Sequence, residues 1–162
     1  MKIHIDAGSG VAGDMLMGAL LDMGLPARQL QSALRRVIPE RNWSLRVGTA
    51  ERQMWPGRTV RVIGDRPYGS PAKMMSAIRR STLPGPVRES AAQTIERLAE
   101  AEKRVHRGAT ARFDDEGLAL LDTLVDVAGV IWGFWRMGFR EITASAVVTG
   151  RIPPTGARLI ED

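Results

Sequence analysis

Few folds accommodate the opening of this chain, Lys2-Ile3-His4-Ile5-Asp6-Ala7-Gly8-Ser9-Gly10-Val11-Ala12-Gly13-Asp14-Met15. Ile3 and Ile5 alternate with polar neighbours, the period of a short strand with one face turned inward. A bend built on Gly8, Gly10 and Gly13 follows. Met15 to Met23 then reads as an apolar helix stopped by Gly24 and Pro26. A strand, a glycine bend and a helix bring backbone N–H groups to a helix N-terminus, where they can meet an anion.

Gly8-Ser9-Gly10-Val11-Ala12-Gly13 has the spacing of a dinucleotide fingerprint, but its context is wrong. That fingerprint needs an acidic residue about 20 positions on, at the end of a second strand. Here Pro26 to Ile38 has the pattern of a second helix, and the next strand signal begins near Trp43. Asp14 would also repel a phosphate while favouring the helix dipole. Two readings of the bend stay open. Asp6, Ser9 and Asp14 offer two carboxylates and a hydroxyl that could hold a hard cation or sugar hydroxyls. Alternatively, the segment is a strand-to-helix turn with Asp14 as its N-terminal charge.

A length of 162 residues suits one domain with its own core. There is no cysteine, which excludes a disulfide frame and a thiolate metal site. The opening residues lack the pattern of a signal peptide. Residues 117–135 are largely apolar, but Asp122 and Asp126 interrupt them, so a buried helix is expected rather than a membrane span. The expected location is the cytoplasm. The net charge of +5 comes from 23 Lys and Arg against 18 Asp and Glu. Arg35-Arg36, Arg79-Arg80 and Arg88 are spread over several expected helices without interleaved aromatics, which argues for a solvated surface and against a nucleic-acid partner. Anionic small molecules fit the same balance.

Along the chain, Ala27 to Val37 reads as a helix burying Leu30, Ala33, Leu34 and Val37. Trp43–Ala50 and Arg58–Ile63 alternate like strands around a loop at Gln53-Met54-Trp55-Pro56-Gly57. Gly64 to Pro71 is a run of breakers. Ala72–Arg80 reads as a helix, Leu83-Pro84-Gly85-Pro86 as a break, and Val87–His106 as a long amphipathic helix. Asp114-Asp115-Glu116 would open the next helix, with an apolar stripe of Leu118, Leu121, Val125, Ala128, Trp132 and Trp135. Asp122, Asp126, Gly129 and Gly133 fall on another line of that helix, where the glycines permit close approach. Asp126 sits among valines and needs a partner there, either an arginine, a backbone cap or a divalent cation. Ile142–Val148 reads as the last strand. The expected architecture is α/β, a small sheet packed by four or five helices, with a domain at 1–148 and a Pro/Gly-containing tail at 149–162.

Asp6, Ser9, Gly10, Gly13, Asp14 and Met15, followed by Gly18-Ala19-Leu20-Leu21-Asp22 and Gly24, resemble the LarC family, the nickel-insertion proteins of nickel-pincer cofactor biosynthesis. Leu98-Ala99-Glu100-Ala101-Glu102, Val105-His106 and Asp122-Thr123-Leu124-Val125-Asp126-Val127-Ala128-Gly129 continue the resemblance in order to about residue 148. It implies a LarC N-terminal-domain-like fold. It also implies a lyase-type, CTP-dependent insertion of nickel into pyridinium-3,5-bisthiocarboxylic acid mononucleotide, with Mg or Mn accompanying the CTP. The residues expected to carry this work are Asp6, Ser9 and Asp14 as catalytic groups, Gly8, Gly10, Gly13 and His106 as ligand contacts, and Asp122 and Asp126 as metal contacts; His106, at the end of its helix, reads alternatively as a dipole-stabilised or capping histidine. The partners implied are a mononucleotide-type small molecule and either a separate nucleotide-binding C-terminal half or further copies of the chain.

The chain departs from the family pattern where histidines are usual. Tyr68-Gly69-Ser70 stands for His-x-His, and Arg112-Phe113-Asp114-Asp115-Glu116 stands for His-Phe-His-Glu. Its histidines are His4 and His106 alone, too few for a multi-histidine nickel store, since nickel favours imidazole and thiolate over carboxylate. An alternative function is therefore a non-catalytic relative that keeps the scaffold as a binding or assembly module.

Overall fold

The computed structural model describes residues 1–40, 42–52, 55–64, 68–105 and 121–147. Its elements run β1 (Lys2–Ile5), α1 (Gly13–Asp22), α2 (Ala27–Val37), β2 (Ser44–Arg52), β3 (Trp55–Ile63), α3 (Pro71–Arg80), α4 (Gly85–Val105), α5 (Leu121–Arg136) and β4 (Glu141–Ala144). The expected α/β class is correct. The strands form two separate ladders, β1 with β4 in parallel and β2 with β3 antiparallel.

Local chemistry explains most boundaries. Gly24 adopts φ +100°, so Gly24 N–H reaches Leu21 O and Leu25 N–H reaches Leu20 O, closing α1. Gly138, at φ +78°, closes α5 by the same pair of bonds, to Trp135 O and Phe134 O. α3 starts on Ser70, whose Oγ accepts the Lys73 N–H at 3.3 Å, with Pro71 at the first helical position.

Four expectations need correction. Trp55-Pro56-Gly57 belongs to β3 rather than to a loop, because the antiparallel register runs on to pair Arg52 with Trp55. Gly85 and Pro86 lie in the first turn of α4 rather than in the break before it, where proline's missing N–H costs nothing. The last strand ends at Ala144; Ser145 beyond it still bonds β1, its N–H donating to Ile5 O at 2.9 Å, and its Oγ accepts the Ala7 N–H of the opening loop. Trp135 does not join the buried stripe of α5; it is 36% exposed. The acidic turn at 114–116, Leu118, His106 and the tail at 149–162 lie outside the described residues.

The core lies where the helices meet. Met17 and Leu20 of α1, Leu30 and Leu34 of α2, Met74 and Ile78 of α3, Ala91 and Ile95 of α4, and Leu124 and Val125 of α5 are all buried. The inward face expected for α2, Leu30, Ala33, Leu34 and Val37, is thus present. Trp43, ahead of β2, donates its indole N–H to Ile38 O at 3.2 Å. The Arg35 guanidinium lies 4.4 Å from its ring centre. α1 rests on β3 at Gly18, where any Cβ would run into the Arg58 carbonyl oxygen. Asp22 fixes that contact, its Oδ2 accepting the Arg58 N–H at 2.9 Å. Among the described residues, no helix is long and apolar enough to cross a membrane.

Candidate functional site

The seam between α1 and α5 is built from absent side chains. On α5, Gly129 and Gly133 are buried, and an added Cβ would lie 2.6 Å from Met17 Sδ and 2.7 Å from Leu20 Cδ1. The line of Asp122, Asp126, Gly129 and Gly133 read from helical spacing is therefore the face that α5 turns to α1. Two glycines let the axes approach, and the same geometry carries Asp126 onto the start of α1. A Cβ on Gly13 would sit 2.6 Å from Asp126 Oδ2.

Asp126 is half-buried, and its carboxyl is pushed up to about 7, first by burial, then by the charges of Asp14 and Asp122. The positive end of the α1 dipole acts in the opposite sense. It does not win, because among the described residues no N–H group donates to Asp126. Nor does a cation relieve it. The ion pairs among those residues are Lys2–Glu141 and Asp22–Arg58. The partner that a buried aspartate needs is thus neither an arginine nor a backbone cap within the described residues. A raised affinity for a proton takes that role.

Of the five acidic and hydroxyl residues singled out from sequence, Asp14 and Asp122 lie within electrostatic reach of Asp126 without being grouped tightly enough to share a metal ion. Asp122 and Asp14 are exposed. Asp14 Oδ1 accepts the Met15 N–H at 2.8 Å, a first-turn bond within α1. Asp6 is engaged elsewhere. Its Oδ1 accepts the Gly8 N–H at 3.0 Å and the Ser145 hydroxyl at 3.4 Å, and Asp6 is not among the charges acting on Asp126. Ser9 is exposed beside it, and Gly10, at φ +89°, turns the bend.

Ser145 was not legible as a functional residue, because the alternation around it pointed to a strand. Its Oγ accepts the Ala7 N–H at 2.7 Å, so β4 holds the opening bend in place. His4, the one described histidine, is exposed, with Nδ1 2.9 Å from Thr143 Oγ1. Between β1 and α1 runs a groove of about 450 Å³ lined by Ile3, Ile5, Met15, Leu20 and Phe134, with His4 and Asp6 among its polar groups.

The donor set at the seam, among the described residues, is carboxylate, which suits a hard oxygen-seeking cation better than nickel. Among the described residues, no three His, Cys, Asp or Glu side chains are grouped closely enough to hold a metal ion. A cation at Asp126 would have to draw further donors from water or from a bound molecule.

A family model described as "Nickel insertion protein" matches residues 3–152. A protein of Thermomicrobium roseum, named provisionally as a nickel insertion protein, is 35% identical over 150 residues, 91% of this chain and 37% of the relative. One of Syntrophobacter fumaroxidans, named in the same way, is 33% identical over 91% of this chain and 38% of its own length. A Desulfitobacterium hafniense protein named as a pyridinium-3,5-bisthiocarboxylic acid mononucleotide nickel insertion protein is 29% identical over 91% of this chain and 37% of its length. The chain thus spans under two fifths of the length of these curated relatives. No solved structure matches it.

Proposed function

Because the chain belongs to the family of nickel insertion proteins, we propose that it contributes to inserting nickel into pyridinium-3,5-bisthiocarboxylic acid mononucleotide. In this reading it is one part of a lyase-type machine. A separate nucleotide-binding half supplies CTP and its Mg or Mn, and nickel is cargo rather than a resident ion. The observation that carries the reading is Asp126, a carboxyl titrating near 7 on the glycine seam beside Asp14 and Asp122.

Metals bind donors in their deprotonated form, so loading a metal onto a ligand releases protons. A carboxyl poised near neutrality can accept one and pass it to water, whereas an ordinary aspartate is too weak a base at that pH. Asp14 and Asp122 keep Asp126 basic and add negative charge that attracts an incoming divalent cation. Asp6 and Ser9 stand on the exposed bend as contacts for the mononucleotide, with Gly8, Gly10 and Gly13 keeping its backbone open. His106 is retained as a ligand contact on family resemblance alone.

Calorimetric titration with Mn²⁺ and with Ni²⁺, repeated at pH 7 in buffers of different ionisation enthalpy, tests the assignment. Weak binding that displaces a proton, with both binding and displacement lost in Asp126→Ala, is expected. Tight nickel binding indifferent to Asp126→Ala would refute it. One observation favours the alternative, a non-catalytic binding or assembly module: the described residues offer no grouped set of three metal donors. That module would bind its partner half equally well with Asp126 replaced and would release no proton.

A further inference from the structure

Arg35-Arg36, Arg79-Arg80 and Arg88 lie on separate helices, as their spacing implies, but the fold sets one of them, Arg36, beside Arg28, Arg136 and two indoles. Arg28, Ser32 and Arg36 recur every four residues along α2 and so share one face. Opposite them, Trp132, Trp135 and Arg136 share one face of α5, and the two faces enclose a cleft of about 400 Å³. Arg136 is held in place by Gln29, its Nε donating to Gln29 Oε1 at 3.0 Å. Trp132 is buried, while Trp135 keeps 36% of its surface exposed.

No carboxylate among the described residues lines this cleft. Among the described residues, neither Arg28 nor Arg36 has a hydrogen bond or an ion pair, so three like charges face a small volume with nothing to neutralise them. Arg28 also stands in the first turn of α2, the end where the helix dipole disfavours a cation and favours an anion. Guanidinium forks match phosphate oxygens, and indole faces take flat rings. The volume is that of a small-molecule site and too short for a strand of several nucleotides.

We propose that the cleft between α2 and the C-terminal half of α5 binds a small phosphoanion carrying a flat aromatic ring, of the nucleoside monophosphate class. Arg28 and Arg36 take the phosphate, Trp135 stacks on the ring, and Ser32 and Gln29 supply neutral polar contacts. The assignment rests on the cleft alone and does not depend on the carboxylates at the other end of α5.

The test is calorimetric titration at low salt with four probes: AMP, adenosine, inorganic phosphate and single-stranded oligonucleotides of increasing length. AMP should bind at least about tenfold more tightly than adenosine or phosphate, and should quench tryptophan fluorescence. The double variant Arg28→Gln/Arg36→Gln should weaken AMP about tenfold or more. Trp135→Ala should weaken AMP about tenfold while leaving phosphate binding unchanged. Asp126→Asn should bind AMP normally, which separates this outcome from that of the metal titrations. These side chains are exposed, so the variants should keep the helical circular dichroism. The corresponding lysine double variant, which keeps the charge but not the fork, should fall between wild type and glutamine. AMP binding no tighter than phosphate, or unaffected by the double variant, would overturn the proposal. So would affinity that climbs with oligonucleotide length beyond that of AMP, which would make the cleft part of a nucleic-acid track.

Discussion

Replacing Asp126 by Asn should stabilise the protein at alkaline pH and do almost nothing near pH 4. Unfolded, the carboxyl releases its proton near 3.8; folded, it holds the proton up to about 7. Between those values the folded state binds the extra proton, so wild-type stability falls as pH rises from about 4 to about 7, then levels off. For a fully buried group the displacement would correspond to about 4 kcal/mol. Asp126 is only half-buried, and solvent screening reduces the expected penalty to about 1–2 kcal/mol. Asparagine fills nearly the same volume without the charge, so the variant should gain that amount above pH 8, about 3–6 °C in Tm for a chain of this size. Thermal unfolding followed by circular dichroism from pH 4 to 9, wild type against variant, measures the difference directly. A difference that is constant with pH, or an Asn variant less stable than wild type at pH 8.5, would refute the account of why the carboxyl is raised.

Other substitutions probe the same seam and its supports. Gly18→Ala should cost at least about 2–3 kcal/mol in denaturant unfolding, since the Arg58 carbonyl that a methyl group would meet is backbone and cannot swing aside. Gly129→Ala should cost less, about 1–2 kcal/mol, because the atom in its way is the flexible end of Met17. Ser145→Ala should lose about 1 kcal/mol by stripping the Ala7 N–H of its acceptor, and hydrogen exchange at Ala7 should accelerate. Gly24→Ala, which forces a side chain into φ +100°, should cost about 1 kcal/mol.

How much of this was readable from residues alone depended on the range of the signal. α2 was legible to the residue, because Leu30, Ala33, Leu34 and Val37 repeat at helical spacing between two prolines, and periodicity is a local property. The close-approach face of α5 was legible for the same reason. The hairpin was read too short because Trp55-Pro56-Gly57 has turn chemistry, and only the pairing with β2 holds those residues in a strand. Ser145 and the arginine cleft were invisible because their partners lie far away in sequence: Ala7 for the serine, and α2 facing α5 for the cleft. The convergence of Asp14 with Asp126 could be guessed from sequence. The separate engagement of Asp6 could not, since it depends on β4 returning beside β1.

Gly13 and Asp126 are best understood as one device. A carboxylate on the buried face of a helix pair is ordinarily selected against, because burial and like charges both destabilise it. Here the residue it touches is a glycine at the first position of α1, and the next residue, Asp14, adds a second negative charge. A larger side chain at position 13 would hold α5 away, return Asp126 to water and lower its pKa, leaving a more stable and chemically ordinary seam. The fold instead keeps the glycine, and with it an acid whose pKa is raised by burial and by its acidic neighbours. Packing alone gives no reason for this arrangement, since Gly129 and Gly133 already secure the approach of the two helices. A role in moving protons or attracting a cation does give one, which is why the metal and proton titrations bear on Asp126 before any other residue.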